Sequence, residues 1–317
     1  MAEPLKIVFM GTPALAAHIL ERLVMASGTN FNVVGVVTRP DQQRGRGLGT
    51  QPNEVGAVAA KHNIPTLKPV KIRTPEFLSE LKAFEPDLLV VAAYGRILPN
   101  SILDVPRIAP INVHASLLPR HRGAAPVEGA ILAGDSETGV TIMRIVEQMD
   151  AGPMYFQRII PIEPSDTQGT LKEKLAELGA SATLEAIELA ASGALVETPQ
   201  DEARATYTAQ VEKKDALIDW TASAVQIERM TRAYDPWPVA RTRLGRDEIL
   251  IWRAAVEHGD ASGESPGTIV SVKPNPVVQC GIGRLRLVEV QASGRKRIPA
   301  TEFVRGKRIE VGARFGA

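Results

Sequence analysis

Short apolar runs alternate with amphipathic stretches along the front of the chain. Residues 7–10 are an apolar run that predicts a strand, and Gly11, Thr12 and Pro13 follow it. Thr12 as N-cap and Pro13 at the first helical position predict a helix over 14–26. Further strands are predicted over 33–38, 88–93, 108–114 and 140–146, and helices over 75–84, 126–133 and 170–189. Residues 88–93 are apolar without alternation, as strands buried on both faces are. The series predicts an α/β fold with a doubly wound, Rossmann-like parallel sheet and helices on both faces.

The pattern changes around 192–209. Ser192, Gly193 and a polar stretch from Glu197 to Arg204 predict a linker. Beyond it come a helix over 221–233 and short strands over 248–252, 268–272, 277–281 and 285–291, punctuated by glycine and proline. A smaller OB-like β-barrel is the expected architecture there. The chain thus divides into a first domain over 1–191, a linker over 192–209 and a second domain over 210–317.

A chain of 317 residues suits about two domains. Apolar residues make up 44% and charged residues 23%, which excludes a disordered chain, a collagen and a disulfide scaffold. The lone cysteine, Cys280, excludes an intrachain disulfide and points to a reducing compartment. The longest apolar run, 88–94, is too short to cross a bilayer, and the first residues read as a strand, not a signal peptide. A cytoplasmic location without a membrane partner is expected. Residues 1–207 hold 19 Lys/Arg against 23 Asp/Glu, and residues 208–317 hold 18 against 13. The basic back half fits either a polyanionic partner or an ordinary solvated surface.

Several chemistries find no support. The first strand–helix turn lacks the Gly-x-Gly-x-x-Gly spacing of dinucleotide binding, and no Gly-Lys-Ser/Thr phosphate loop is present. The five histidines form no His-Glu-x-x-His pattern, so no metal is expected. Ser116 has no Gly-x-Ser-x-Gly elbow.

The informative stretch is 111–126, at the C-terminal end of a predicted strand, where open α/β sheets hold their ligands. Asn112 and His114 are two residues apart and so share one side of that strand. An amide donor beside an imidazole suits a developing oxyanion. Asp150, before Ala151 and Gly152, places a carboxylate in a turn where it would orient His114 or take a proton. Taken alone, these residues admit blander roles: a structural histidine, a turn aspartate and a strand-end asparagine.

The order of motifs goes further. Asn112-x-His114-x-Ser116-Leu117-Leu118-Pro119, Arg122-Gly123-Ala124-Ala125-Pro126, Thr138-Gly139-Val140-Thr141 and Asp150-x-Gly152 closely resemble the folate-dependent formyltransferase superfamily. Tyr94-Gly95-x-Ile97-Leu98-Pro99, Ile218-Asp219-Trp220 and Pro236-Trp237-Pro238 match as well, so the resemblance covers essentially the whole chain. Ala115 stands where a glycine is common, and His121 where an aromatic residue is common.

The resemblance implies transfer of the formyl group of 10-formyltetrahydrofolate to the α-amine of methionyl initiator tRNA, for translation initiation. It implies a catalytic trio of Asn112, His114 and Asp150 in a formyltransferase domain over 1–191. It also implies a folate site at Ser116, Leu117, Leu118 and Pro119 with walls at Tyr94, Ile97 and Leu98. Residues 41–47 resemble a loop that the family inserts after the second strand. With the basic back half, this makes Arg44, Arg46, Arg295, Lys296, Arg297, Arg305, Lys307 and Arg308 candidate tRNA contacts. Neither DNA nor a metal is implied. Transfer to a nucleotide-sugar amine and hydrolysis of formyl-folate would use the same trio. The arginine-bearing loop and the basic second domain favour tRNA.

Overall fold

The computed structural model of the chain describes residues 3–43, 50–257 and 263–316. The first elements are β1 (Leu5–Gly11), α1 (Ala14–Ala26), β2 (Phe31–Val37), β3 (Gln42–Gln43), β4 (Thr50–Gln51), α2 (Glu54–Lys61), β5 (Thr66–Leu67) and α3 (Pro75–Lys82). There follow β6 (Leu88–Ala92), α4 (Asn100–Leu103), β7 (Ala109–His114), β8 (Arg122–Gly123), α5 (Pro126–Ala133), β9 (Glu137–Arg144), β10 (Met154–Pro161), α6 (Gln168–Ala191) and β11 (Tyr207–Thr208). The remainder is α7 (Ala224–Ala233), β12 (Arg241–Leu244), β13 (Asp247–Glu257), β14 (Ile269–Ser271), β15 (Val277–Gln279), β16 (Arg284–Ala292), β17 (Ile298–Pro299) and α8 (Ala300–Lys307). One compact unit comprises Met1–Pro126, Glu137–Pro161 and Lys172–Ala209; the other comprises Val127–Ser136, Ile162–Leu171 and Gln210–Ala317.

In the first unit, seven strands lie in the order β10-β9-β7-β6-β1-β2-β5. The five from β7 to β5 are parallel, as expected of a doubly wound sheet. The winding reverses between β1 and β6, so the carboxyl ends of β1, β6 and β7 form the crevice in which such sheets bind ligands. Apolar residues line both faces. Val8, Met10, Leu89 and Val91 share one core cluster with Phe77, Leu81 and Tyr94. Their alternates Ile7, Phe9, Leu88 and Val90 are equally buried and point the other way.

The structure departs from expectation at several elements. β9 runs antiparallel to β7, and β10, which no periodic signal announced, runs antiparallel to β9. Apolar alternation is the same for either strand direction, so the sequence pattern cannot distinguish them. α1 begins at Ala14 with Pro13 as N-cap, and the Thr12 hydroxyl is buried without a hydrogen-bond partner among the described residues, so it does not cap the helix. α2 is an unexpected helix whose local signal was Asn53: its side chain accepts the Gly56 N–H.

The second unit is built on an antiparallel sheet, β12-β13-β16-β15-β14, with β17 paired to β16. It is the smaller β module expected after the parallel sheet. β13 bends through register shifts beside Arg253, which lets the sheet wrap its core. Trp220, Ile227, Ile249, Leu285, Leu287, Phe303 and Phe315 fill that core. Cys280 is buried there, and burial pushes its thiol up to about 12, so it is an inert packing residue. Among the described residues, no helix is long and apolar enough to cross a membrane.

Candidate active site

β7 is hydrogen-bonded on both sides, parallel to β6 and antiparallel to β9, so its carboxyl end is rigid. Asn112 and His114 project from that end on one side of the strand, as their spacing predicts. The Asn112 amide donates to Asp150 Oδ1 at 3.4 Å. His114 Nδ1 lies 3.7 Å from the same oxygen. The other ring nitrogen, Nε2, faces the His121 carbonyl at 3.0 Å. Both imidazole nitrogens therefore face acceptors, and the ring, 6% exposed, has a fixed orientation. Asp150 Oδ2 accepts the Gly123 N–H at 2.8 Å. An amide within hydrogen-bond reach and an imidazole at ion-pair distance thus converge on one carboxylate oxygen, a set able to donate to an oxyanion and to accept a proton.

The turn after β7 is pinned from β9 and β10. Thr141, opposite His114 in the strand register, is wholly buried. Its hydroxyl donates to the Ser116 carbonyl at 2.7 Å and accepts from the Leu118 N–H at 3.1 Å and from Gln157 Nε2 at 2.9 Å. Gln157 also donates to the Leu118 carbonyl at 2.9 Å. Of the residues singled out by the resemblance, Ser116, Leu118 and Pro119 are buried and Leu117 is half-buried. The Ser116 hydroxyl is already engaged with the Arg120 carbonyl at 2.7 Å. Tyr94 and Leu98 are buried just beyond the carboxyl end of β6, and Ile97 is 52% exposed. The Tyr94 hydroxyl has no hydrogen-bond partner among the described residues, and burial pushes its pKa upward, keeping it a neutral donor.

Arg122 is wholly buried behind the trio. Its guanidinium makes a two-pronged pair with Glu202, Nη1 to Oε2 at 2.9 Å and Nη2 to Oε1 at 2.6 Å. Nη1 also donates to the Tyr207 hydroxyl at 3.1 Å. The Arg122 charge holds the Glu202 carboxyl below its ordinary range, and Glu202 in turn raises the guanidinium pKa. Thr141, Gln157, Gln200 and Glu202 were not legible as site residues, although Thr141 lies in a quoted motif.

The basic candidates of the second unit are all exposed. Arg297 stacks on Trp252 and pairs with Glu289, and Lys307 pairs with Asp247 at 2.6 Å. Arg295, Lys296, Arg305 and Arg308 have no acidic partner among the described residues. Arg44 and Arg46 lie outside the described residues.

The family described as formyl transferase matches residues 5–187, and the formyl transferase C-terminal domain matches residues 210–308. A methionyl-tRNA formyltransferase of Roseiflexus sp. (strain RS-1) is 45% identical over 313 residues, covering 99% of this chain and 96% of that protein. That of Pseudomonas syringae pv. tomato (strain ATCC BAA-871 / DC3000) is 44% identical, covering 97% and 96%. Among solved structures, HypX from Aquifex aeolicus in complex with tetrahydrofolic acid shares the fold with TM-score 0.61 at 17% identity, over 98% of this chain and 48% of its own. An N-formyltransferase from Helicobacter canadensis, in complex with folinic acid and dTDP-3-aminofucose, does so with TM-score 0.65 at 17% identity, over 89% and 99%. With both domain matches in order and these relatives aligned over nearly its full length, the chain belongs to the formyl transferase family.

Proposed function

We infer that this protein transfers the formyl group of 10-formyltetrahydrofolate to the α-amine of methionyl initiator tRNA, in the cytoplasm. The observation that carries the chemistry is the meeting of Asn112 Nδ2 and His114 Nδ1 at Asp150 Oδ1. Relatives named for this reaction align across both units, which favours tRNA as acceptor. A nucleotide-sugar amine is the alternative acceptor, and its support is a shared fold at 17% identity.

The division of labour follows. Residues 1–191 hold the folate and the chemistry, 192–209 lead onward, and 210–317 hold tRNA. The folate supplies an activated formyl carbon. Tyr94, Ile97 and Leu98 offer it an apolar wall with one unpartnered hydroxyl, a surround suited to a flat heteroaromatic ring. Ser116, Leu117, Leu118 and Pro119 form the opposite, backbone-rich wall.

The amine nitrogen attacks the formyl carbon, and negative charge grows on the formyl oxygen. Asn112 donates to that oxygen. His114 donates from Nδ1 while Nε2 remains on the His121 carbonyl. Such a donor is worth roughly 3–4 kcal/mol of barrier. Asp150 takes the amine proton, directly or through a water, and returns it to folate N10 as the bond from N10 to the formyl carbon breaks. Arg44 and Arg46 on the inserted loop would bind the acceptor end, and the second unit's basic residues its phosphates.

The test is formyl transfer to methionyl initiator tRNA, with a control lacking tRNA. His114→Ala should fold and lose about a hundredfold or more in rate, as the removal of an oxyanion donor does. Near-normal transfer by that variant would refute the trio. Transfer to water or to an amino sugar, with none to tRNA, would refute the acceptor.

A further inference from the structure

The polar composition of residues 192–209 predicts a connection without chemistry, yet this segment grips the turn that carries Asp150. Thr198 is bridged to Met154, and β11 pairs in parallel with β8. Between them, Gln200 reaches the turn. Its Nε2 donates to the Asp150 carbonyl at 2.8 Å and to the Gly152 carbonyl at 2.7 Å. Its Oε1 accepts from Arg122 Nε at 3.1 Å and Nη2 at 2.9 Å. The guanidinium therefore fixes which way the amide faces: the oxygen must turn to Arg122, so the NH2 group must turn to the two carbonyls. The next residue after Arg122, Gly123, holds the Asp150 carboxylate itself. Asp150 is thus held twice, at its peptide and at its side chain, and both holds start from one buried arginine.

The backbone of Asp150 gives this hold a purpose. Its φ is +49°, in the left-handed region that costs a residue with a Cβ. Such a conformation persists only where the surroundings impose it. The direction of a carboxylate follows the φ and ψ of its own residue. Relaxation of the turn to the right-handed region would swing Oδ1 away from Asn112 and His114.

We propose that Gln200, oriented by Arg122, is a positioning residue for formyl transfer, its amide holding the Asp150 turn so that the carboxylate faces Asn112 and His114. The role rests on the assignment of proton transfer to Asp150.

The experiment compares wild type, Gln200→Ala, the isosteric Gln200→Glu, Asp150→Asn, and Gln200→Ala combined with Asp150→Asn. Each full-length protein is assayed for formyl transfer to methionyl initiator tRNA, with single-turnover kinetics for the slow variants. A carboxylate at position 200 still accepts from Arg122 but has no donor for the two carbonyls, so both single Gln200 variants should lose kcat by about tenfold or more. The KM for 10-formyltetrahydrofolate should stay within roughly twofold, since the folate walls are untouched. In the Asp150→Asn background, Gln200→Ala should lower kcat less than about twofold, because the carboxylate it aims is gone.

An Asp150→Asn protein with wild-type kcat overturns the proton-transfer assignment, and the positioning role with it. A crippled Asp150→Asn protein alongside near-normal kcat in the Gln200 variants, an effect on KM alone, or losses that multiply in the double variant overturns the positioning role only. Gln200→Glu preserves side-chain shape, so it decides the matter if Gln200→Ala fails to fold.

Discussion

The Gly123 N–H and the Asp150 carboxylate, 27 positions apart in sequence, meet at 2.8 Å. Nothing but glycine fits on the donor side of this contact. Gly123 has φ +107°, and a Cβ there would lie 2.3 Å from the Thr208 carbonyl oxygen. The close approach is the ladder between β8 and β11 that also sets Arg122 in place. One backbone requirement therefore links a strand pairing to the aim of a carboxylate.

Gly123→Ala should consequently damage stability and catalysis together. The methyl group must push β11 away or twist the strand out of its φ, at a cost of about 1–3 kcal/mol. Urea unfolding should show a lowered midpoint, and kcat should drop as Asp150 loses a donor. A variant with wild-type stability and kcat would show that the ladder yields freely.

Glu202→Gln should change how stability depends on pH. Arg122 holds the Glu202 carboxyl below its ordinary value of 4.5. A group whose pKa is depressed by folding contributes stability above its unfolded pKa and loses it as pH falls through the folded value. Wild type should therefore be the more stable protein at neutral pH, and its advantage over Glu202→Gln should shrink as the pH falls through the range below 4.5. Thermal midpoints of both proteins, measured from neutral pH down through that range, check this. A constant difference between them would mean that the buried guanidinium does not depend on this carboxylate.

Phe315→Ala should destabilise the second unit. Phe315 is 2% exposed and stacks on Trp220, with ring centroids 5.5 Å apart and planes 18° from parallel. The Trp220 Nε1–H is itself held by the Thr242 hydroxyl at 2.9 Å, so the indole cannot slide to fill the space. The loss should be about 3 kcal/mol. Tryptophan fluorescence in urea measures it directly, because all three tryptophans, Trp220, Trp237 and Trp252, lie in this unit. An unchanged midpoint would show that the carboxyl-terminal residues are dispensable to the core.

The unpaired basic residues should matter more to tRNA than the paired ones. Arg295→Ala with Lys296→Ala should weaken tRNA binding and reduce the slope of log affinity against log salt by roughly 0.7–0.9 per lost phosphate contact. Lys307→Ala should do less, since Asp247 already neutralises that ammonium at 2.6 Å. Equal effects from the two variants, or an unchanged slope in the first, would place the tRNA surface elsewhere.

The sequence by itself determined the sheet's central strands, since runs such as Leu88–Ala92 are apolar on both faces and have only one stable place, inside a covered sheet. It determined that Asn112 and His114 share a side, because the strand repeat is two residues. The motif order sufficed for the family. The direction of β9 and the existence of β10 were decided by tertiary structure, because apolar alternation carries no direction. The hold on Asp150 was decided there too. Gln200 and Arg122 are 78 positions apart, and neither residue type implies the other. Their pairing exists because a buried guanidinium must find acceptors for its N–H groups, and only the folded chain brings Gln200 and Glu202 to the place where that need arises.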